Sequence, residues 1–174
     1  MSTQRLIIYS TWFQVIWFLA IIGQHEWQWL TLSLVLATLF LSSKYEDFKL
    51  ERWLILLAVG IAVDYTNFLT GLFQFERDSF PLWLTGLWAI FLWYAFYLVP
   101  FLNRYPVWIV SVVSGISGAL SYLAGMKLGA VEFSMGLPTT LAILFLQWVV
   151  IINIVLKVYS YVRGIQKNQK GAHL

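Results

Sequence analysis

Six apolar runs, separated by short polar connections, make up almost the whole chain. They lie at about residues 6–22, 27–43, 53–75, 82–102, 107–127 and 137–158. A helix rises about 1.5 Å per residue, so a run of about 20 residues crosses a hydrocarbon layer of roughly 30 Å. The pattern predicts an all-α fold, in which residues 1–174 form a single polytopic bundle of six transmembrane helices.

The third run, Trp53 to Phe75, carries an acid at its middle, Asp64. Small and polar side chains recur there at steps of three or four residues and therefore share one helix face: Gly60, Asp64, Asn67, Gly71 and Gln74. Counting from Trp53 places Asp64 near the bilayer midplane. A carboxyl group in hydrocarbon is costly unless it is protonated or hydrogen-bonded, so Asp64 is a candidate functional residue. The alternative is a neutral Asp64 that only joins helices.

Depth along each predicted helix suggests which side chains meet Asp64. Five polar side chains come out close to the midplane: Gln14, Tyr94, Ser114, Ser117 and Gln147. Together with Asp64 and Asn67 they form the predicted intramembrane polar site. Lys127 lies more than about 10 Å away along the membrane normal. We therefore expect Asp64 to be protonated near neutral pH and to hydrogen-bond to at least one of the five.

The fifth helix carries small residues at four-residue steps, namely Ser117, Ser121, Gly125 and Gly129, with Ser114 and Gly118 on an adjoining row. Helices in a bilayer associate by close packing and hydrogen bonds, because leaving lipid for another apolar surface gains nothing. The row therefore predicts a helix-packing seam, with a substrate groove as the alternative. In the glycine-rich connection that follows, Lys127 and Glu132 either pair at the outer surface or bind a lipid head group.

Basic residues are distributed unequally between the two sides of the predicted bundle. Nine lie on one side, Arg5, Lys44, Lys49, Arg52, Arg104, Lys157, Arg163, Lys167 and Lys170, against Arg77 and Lys127 on the other. The positive-inside rule then places both termini, and a basic tail of residues 159–174, in the cytoplasm. The same distribution accounts for the net charge of +3 without a nucleic-acid partner.

Composition supports a membrane protein and excludes several kinds of site. The chain is 60% hydrophobic and 11% charged, with a mean hydropathy of +0.76. The absence of cysteine excludes disulfides, thiolate metal sites and a cysteine nucleophile. His25 and His173 are the only histidines and are far apart in sequence, so no bis-histidine haem site or His-rich metal site is expected. We expect no metal or cofactor, and no catalytic residue is assigned.

The segment Gly118 to Val131, GALSYLAGMKLGAV, resembles the pattern G-x-L-S-Y-L-A-G-x-x-L-G-A of a bacterial inner-membrane family known as domain of unknown function 2878. Asp64, the chain length and the order of the spans also resemble that family. The resemblance implies a multi-pass protein of the bacterial inner membrane. It also implies a link to lipid metabolism, because genes of the family are frequently neighbours of fatty-acid-modifying genes. The chain lacks the polar cluster that the resemblance implies late in the fourth helix.

The leading functional hypothesis is a protein that binds, or helps to process, an apolar lipid-like molecule near Asp64 and the Ser114 to Gly129 row. Membrane lipids are then its partners. One alternative is a small proton-coupled transporter in which Asp64 titrates. Another is a non-catalytic subunit that binds a partner membrane protein or a second copy of itself. A transporter needs access to Asp64 from both sides, whereas a subunit needs an exposed small-residue face without an internal cavity.

Overall fold

The computed structural model describes the backbone of residues 3–45, 48 and 50–171 and the side chains of residues 3–44, 48 and 50–160. The described chain forms six helices and two short strands: α1 (Thr3–Gly23), α2 (Gln28–Tyr45), α3 (Leu50–Leu69), β1 (Phe73–Gln74), α4 (Leu82–Leu102), α5 (Val107–Lys127), β2 (Glu132–Phe133) and α6 (Leu137–Gly171). Short connections make successive helices alternate in direction. The ends of α1, α3 and α5 therefore lie on the side that also carries β1 and β2, which we call the ribbon end.

α4 is the central helix of the bundle. It buries 13 of its 21 residues, whereas α1 buries five of 21. A helix that is apolar on every face is suited to such a position, because it has no side that requires water. The other helices pack around it, with α1, α2 and α3 on α4 and with α5 mainly on α6.

Five of the described helices are long and apolar enough to cross a membrane: α1, α3, α4, α5 and α6. α2 has 18 residues and is not among these five. The fold class expected from the sequence, an all-helical bundle, is therefore confirmed in its coarse form. Five candidate spans suit a multi-pass membrane protein.

The third helix ends earlier than its apolar run predicts. α3 ends at Leu69, not at Phe75, and the chain turns at Gly71, whose φ is +74°. A glycine in this left-handed region commonly follows the end of a helix, because other residues adopt the conformation at a cost. The hydroxyl of Ser134 donates to the Gly71 carbonyl and ties the turn to the later connection.

The residues that follow this turn form a ribbon instead of a last helical turn. β1 pairs antiparallel with β2, with Phe73 opposite Phe133 and Gln74 opposite Glu132. Gln74 therefore leaves the predicted polar face of the third helix. Asp64 consequently lies only about 8 Å from the end of its helix and not at the middle of a helix that reaches Phe75.

The remaining helix bounds agree with the apolar runs except at α6. α4 and α5 begin and end at the predicted residues, 82–102 and 107–127. α6 continues to Gly171, so the helix extends beyond the predicted sixth span, which ends at about residue 158, and includes most of the predicted tail. Lys49 and His173, and the side chains of Arg163, Lys167 and Lys170, lie outside the described residues.

Candidate functional site

Asp64 joins three helices at the ribbon end. Its side chain is 1% exposed. One carboxyl oxygen, Oδ2, accepts a hydrogen bond of 2.7 Å from the indole N–H of Trp88 in α4. The same oxygen accepts a second bond of 2.5 Å from the hydroxyl of Tyr122 in α5. Both donors thus depend on one buried acceptor.

Two glycines make room for the indoles around this acid. A Cβ atom added at Gly60, one turn before Asp64, would lie 2.3 Å from the Trp88 ring. A Cβ atom added at Gly118 would lie 2.2 Å from the ring of Trp148 in α6. The two indoles stack on each other, with ring centroids 5.4 Å apart and an interplanar angle of 7°. The close approach of an indole to the backbone at each glycine therefore sets the position from which Trp88 reaches Asp64.

None of the five partners predicted for Asp64 bonds to it within the described part of the chain. Gln147 instead forms a reciprocal amide pair with Asn67, at 3.0 and 2.7 Å. The Tyr94 hydroxyl pairs with the hydroxyl of Ser10 at 2.8 Å. Gln14, Ser114 and Ser117 lie in the wall of a cavity. The partner prediction is wrong, and the true partners were not among its candidates.

The physical reason is depth. Helical rise places Asp64, Trp88 and Tyr122 about 8–9 Å from the ribbon ends of their helices. Gln14, Tyr94, Ser114 and Ser117 lie about 14–20 Å from the same end. The fifth predicted partner, Gln147, reaches the level of α3 near Asp64, but its amide pairs with Asn67. The sequence signal for the earlier helix end is Gly71, which adopts a positive φ in the structure. A predicted helix that ends before Gly71 places Asp64 at the level of Trp88 and Tyr122.

A cavity of about 690 Å³ lies between α1, α4 and α5, with two residues of α6 in its wall. Along α4 it extends from Trp83 to Leu102, which is roughly 28 Å of helix. Aromatic side chains dominate its ribbon end, including Phe75, Trp83, Trp88, Phe91, Tyr122 and Trp148, and aliphatic ones its other end, including Leu98, Val99, Leu102 and Val113. Asp64 lies behind this wall, so Trp88 and Tyr122 present ring surface to the cavity while their polar atoms face the acid.

The closest packing on α5 does not lie on the row of small residues that the sequence predicted. Ser117, Ser121 and Gly125 line the cavity. A Cβ atom at Gly125 would be no closer than 3.6 Å to its neighbours, and one at Gly129 would have none within 4 Å. Close packing occurs instead on the adjoining row, at Gly118 and at Gly115, where an added Cβ would lie 2.8 Å from Phe145.

The predicted row lines a cavity because a long side chain holds α1 away from α5. The indole N–H of Trp17 in α1 donates to the Ser121 hydroxyl at 3.1 Å. An indole extends much farther from its helix than a glycine contact allows, so the two backbones stay apart. The row from Ser117 to Gly125 therefore borders a groove between α1 and α5.

The charged residues of the α5–β2 connection do not form a pair. Lys127 and Glu132 are both exposed, and no ion pair joins them in the described structure. The connection is held at another point, where the side-chain amide of Gln24 donates to the Gly129 carbonyl at 3.2 Å. Within the described residues, no group of three His, Cys, Asp or Glu side chains could hold a metal ion.

Comparison with known proteins identifies the family. A family model described as protein of unknown function DUF2878 matches residues 6–154. Searches of curated proteins and of solved structures find no match. The matched range contains Asp64, both of its hydrogen-bond donors and every residue of the cavity wall. Since the match covers most of the 174 residues, the chain belongs to the DUF2878 family.

Proposed function

We propose that this protein binds an apolar, lipid-like molecule in the cavity between α1, α4 and α5. The observation that carries the proposal is the shape and lining of that cavity. Its volume of about 690 Å³ lies within the range of ligand pockets. Its length of roughly 28 Å nearly equals the thickness of the hydrocarbon layer. A long, narrow, apolar space suits an extended hydrocarbon chain better than a compact polar molecule.

The packing of the helices supports entry from the membrane. α1 packs mainly on α4 and α5 mainly on α6, which leaves a slot between α1 and α5. Exposed apolar side chains flank the slot, with Phe18 48% exposed on α1 and Leu120 53% exposed on α5. In a bilayer these side chains face lipid, so a lipid-like molecule reaches the cavity by lateral diffusion without crossing water.

A proton-coupled transporter has less support. Asp64 does not line the cavity, and its side chain is 1% exposed and bonded to Trp88 and Tyr122. A transporter of this kind requires proton access to the acid from both sides. Proton uptake by vesicles that contain the protein, lost in Asp64→Asn, would favour the transporter over the lipid-binding function.

We further propose that α2 is a sixth span and that both termini face the cytoplasm of a bacterial inner membrane. The nine-to-two distribution of basic residues supports this orientation. The chain has no cysteine, so single cysteines can be introduced and labelled with an impermeant reagent. We expect periplasmic labelling at Glu26 and Glu132 and cytoplasmic labelling at Lys44, Arg104 and Lys170. Labelling of Glu26 and Lys44 from the same side would exclude α2 as a span.

The proposed ligand can be sought directly in the purified protein. We expect mass spectrometry of organic extracts to find a stoichiometric lipid with the wild-type protein in detergent. Ser117→Phe places a ring in the cavity and should reduce the bound lipid at least fivefold, as should Gly125→Phe. Ser33→Phe is the matched control, because Ser33 is an exposed serine of α2 outside the cavity wall. Equal lipid content in all four proteins would contradict the proposed function.

A further inference from the structure

The cavity wall is mostly apolar, and most of its polar side chains lie at one level. Gln14, Tyr94, Ser114 and Ser117 all lie about 14–20 Å from the ribbon ends of their helices, and all four line the cavity. We call them the polar layer. They are four of the five residues whose depth the sequence predicted to match that of Asp64. The four residues therefore share a level with one another in the cavity wall, and not with Asp64.

Two members of the polar layer, Gln14 and Ser117, lie on the sides of α1 and α5 that border the slot. These two helices run in the same direction and are bridged by Trp17 and Ser121. Gln14 and Ser117 lie one turn earlier on the same faces, at steps of three and four residues. Their side chains are much shorter than an indole, so at this level the two helices leave a gap.

Polar groups at the gap have no partner within the described protein. Gln14, Ser114 and Ser117 form no hydrogen bond there. Serines elsewhere on α5 are satisfied, as Ser111 donates to the Val107 carbonyl at 2.8 Å. Gln14 and Ser117 are exposed in the slot, where hydrocarbon and not water surrounds a membrane protein. An amide or hydroxyl left unpaired in hydrocarbon is costly, so a bound molecule that pairs with it is favoured.

We infer that the ligand is a long-chain lipid with a hydrogen-bonding oxygen, such as a hydroxyl or keto group, near the middle of its chain. This inference rests on the proposed function. Each residue of the polar layer lies more than about 10 Å from either end of its own helix, so a head group at the membrane surface does not reach the layer. The Gln14 amide and the serine hydroxyls both donate and accept, which suits an oxygen that does either.

The inference can be tested with two matched probes, octadecanoate and 12-hydroxyoctadecanoate. Binding of each to the full chain in detergent is measured by displacement of a fluorescent fatty acid. We expect the wild-type protein to bind the hydroxylated probe about fivefold more tightly, which is the ratio that one net hydrogen bond provides. The double variant Gln14→Leu/Ser117→Ala should bind the two probes with equal affinity, because it removes the groups that distinguish them.

Control variants separate a lost hydrogen bond from a damaged fold. Ser117→Thr keeps a hydroxyl and should keep the preference, and Ser33→Ala lies outside the cavity and should also keep it. Equal affinity of the two probes for the wild-type protein would overturn the inference and leave the proposed function intact. Failure of both probes to bind, or a cavity occupied by a helix of another protein, would overturn the proposed function and the inference with it.

Discussion

Asp64→Leu is expected to lower the free energy of unfolding by about 3 kcal/mol, because it leaves two buried donors without an acceptor. The affected groups are the indole N–H of Trp88 and the hydroxyl of Tyr122, which bond to the same carboxyl oxygen. Leucine resembles aspartate in shape but accepts no hydrogen bond. Reversible unfolding in mixed detergent micelles, followed by tryptophan fluorescence, measures the change.

Two further variants isolate the cause. Asp64→Asn retains an acceptor oxygen and should lower the free energy of unfolding by less than about 1.5 kcal/mol. Tyr122→Phe removes one of the two donors, so in the Asp64→Leu background it should cost less than it does alone. Strict additivity of the two substitutions would show that the Asp64–Tyr122 bond contributes nothing to stability.

Gly118→Ala is expected to destabilise the protein by about 2 kcal/mol, whereas Gly125→Ala on the same helix should be neutral or slightly stabilising. The added methyl group at Gly118 would lie 2.2 Å from the Trp148 ring, and that ring is stacked on Trp88. At Gly125 the nearest atom would be 3.6 Å away, which is an ordinary contact. Alanine also favours a helix over glycine by nearly 1 kcal/mol, which accounts for the sign at Gly125.

The same unfolding measurement compares the two glycine variants. Because both glycines lie in α5 and are buried, the pair controls for burial and for the change from glycine to alanine in a helix. If Gly125→Ala proved the more damaging variant, the close packing would lie on the row that faces the cavity. In that case α1 and α5 would have to approach each other more closely than the Trp17–Ser121 bond allows.

Apolar length alone predicted the number of helices and most of their bounds. α4 and α5 begin at the predicted residues because Pro81 and Pro106 precede them. The apolar runs form helices because a helix satisfies its own backbone hydrogen bonds in lipid. The same reasoning failed at α3, where apolar residues continue to Phe75 but belong to a turn and a strand. Hydropathy does not distinguish a membrane helix from an apolar ribbon that packs over its end.

The sequence by itself determined that Asp64 is buried in an apolar chain, and it placed Gln14, Tyr94, Ser114 and Ser117 at a common depth. The protonation state of Asp64 stays a prediction. Only the tertiary structure decided that Trp88 and Tyr122 bind Asp64 and that the four other residues line a cavity. Depth follows from counting residues along one helix, but a partner also depends on the rotation of each helix and on its neighbours. Helices that are apolar on nearly every face carry little information about that rotation, so packing at residues such as Gly60 and Gly118 decides it.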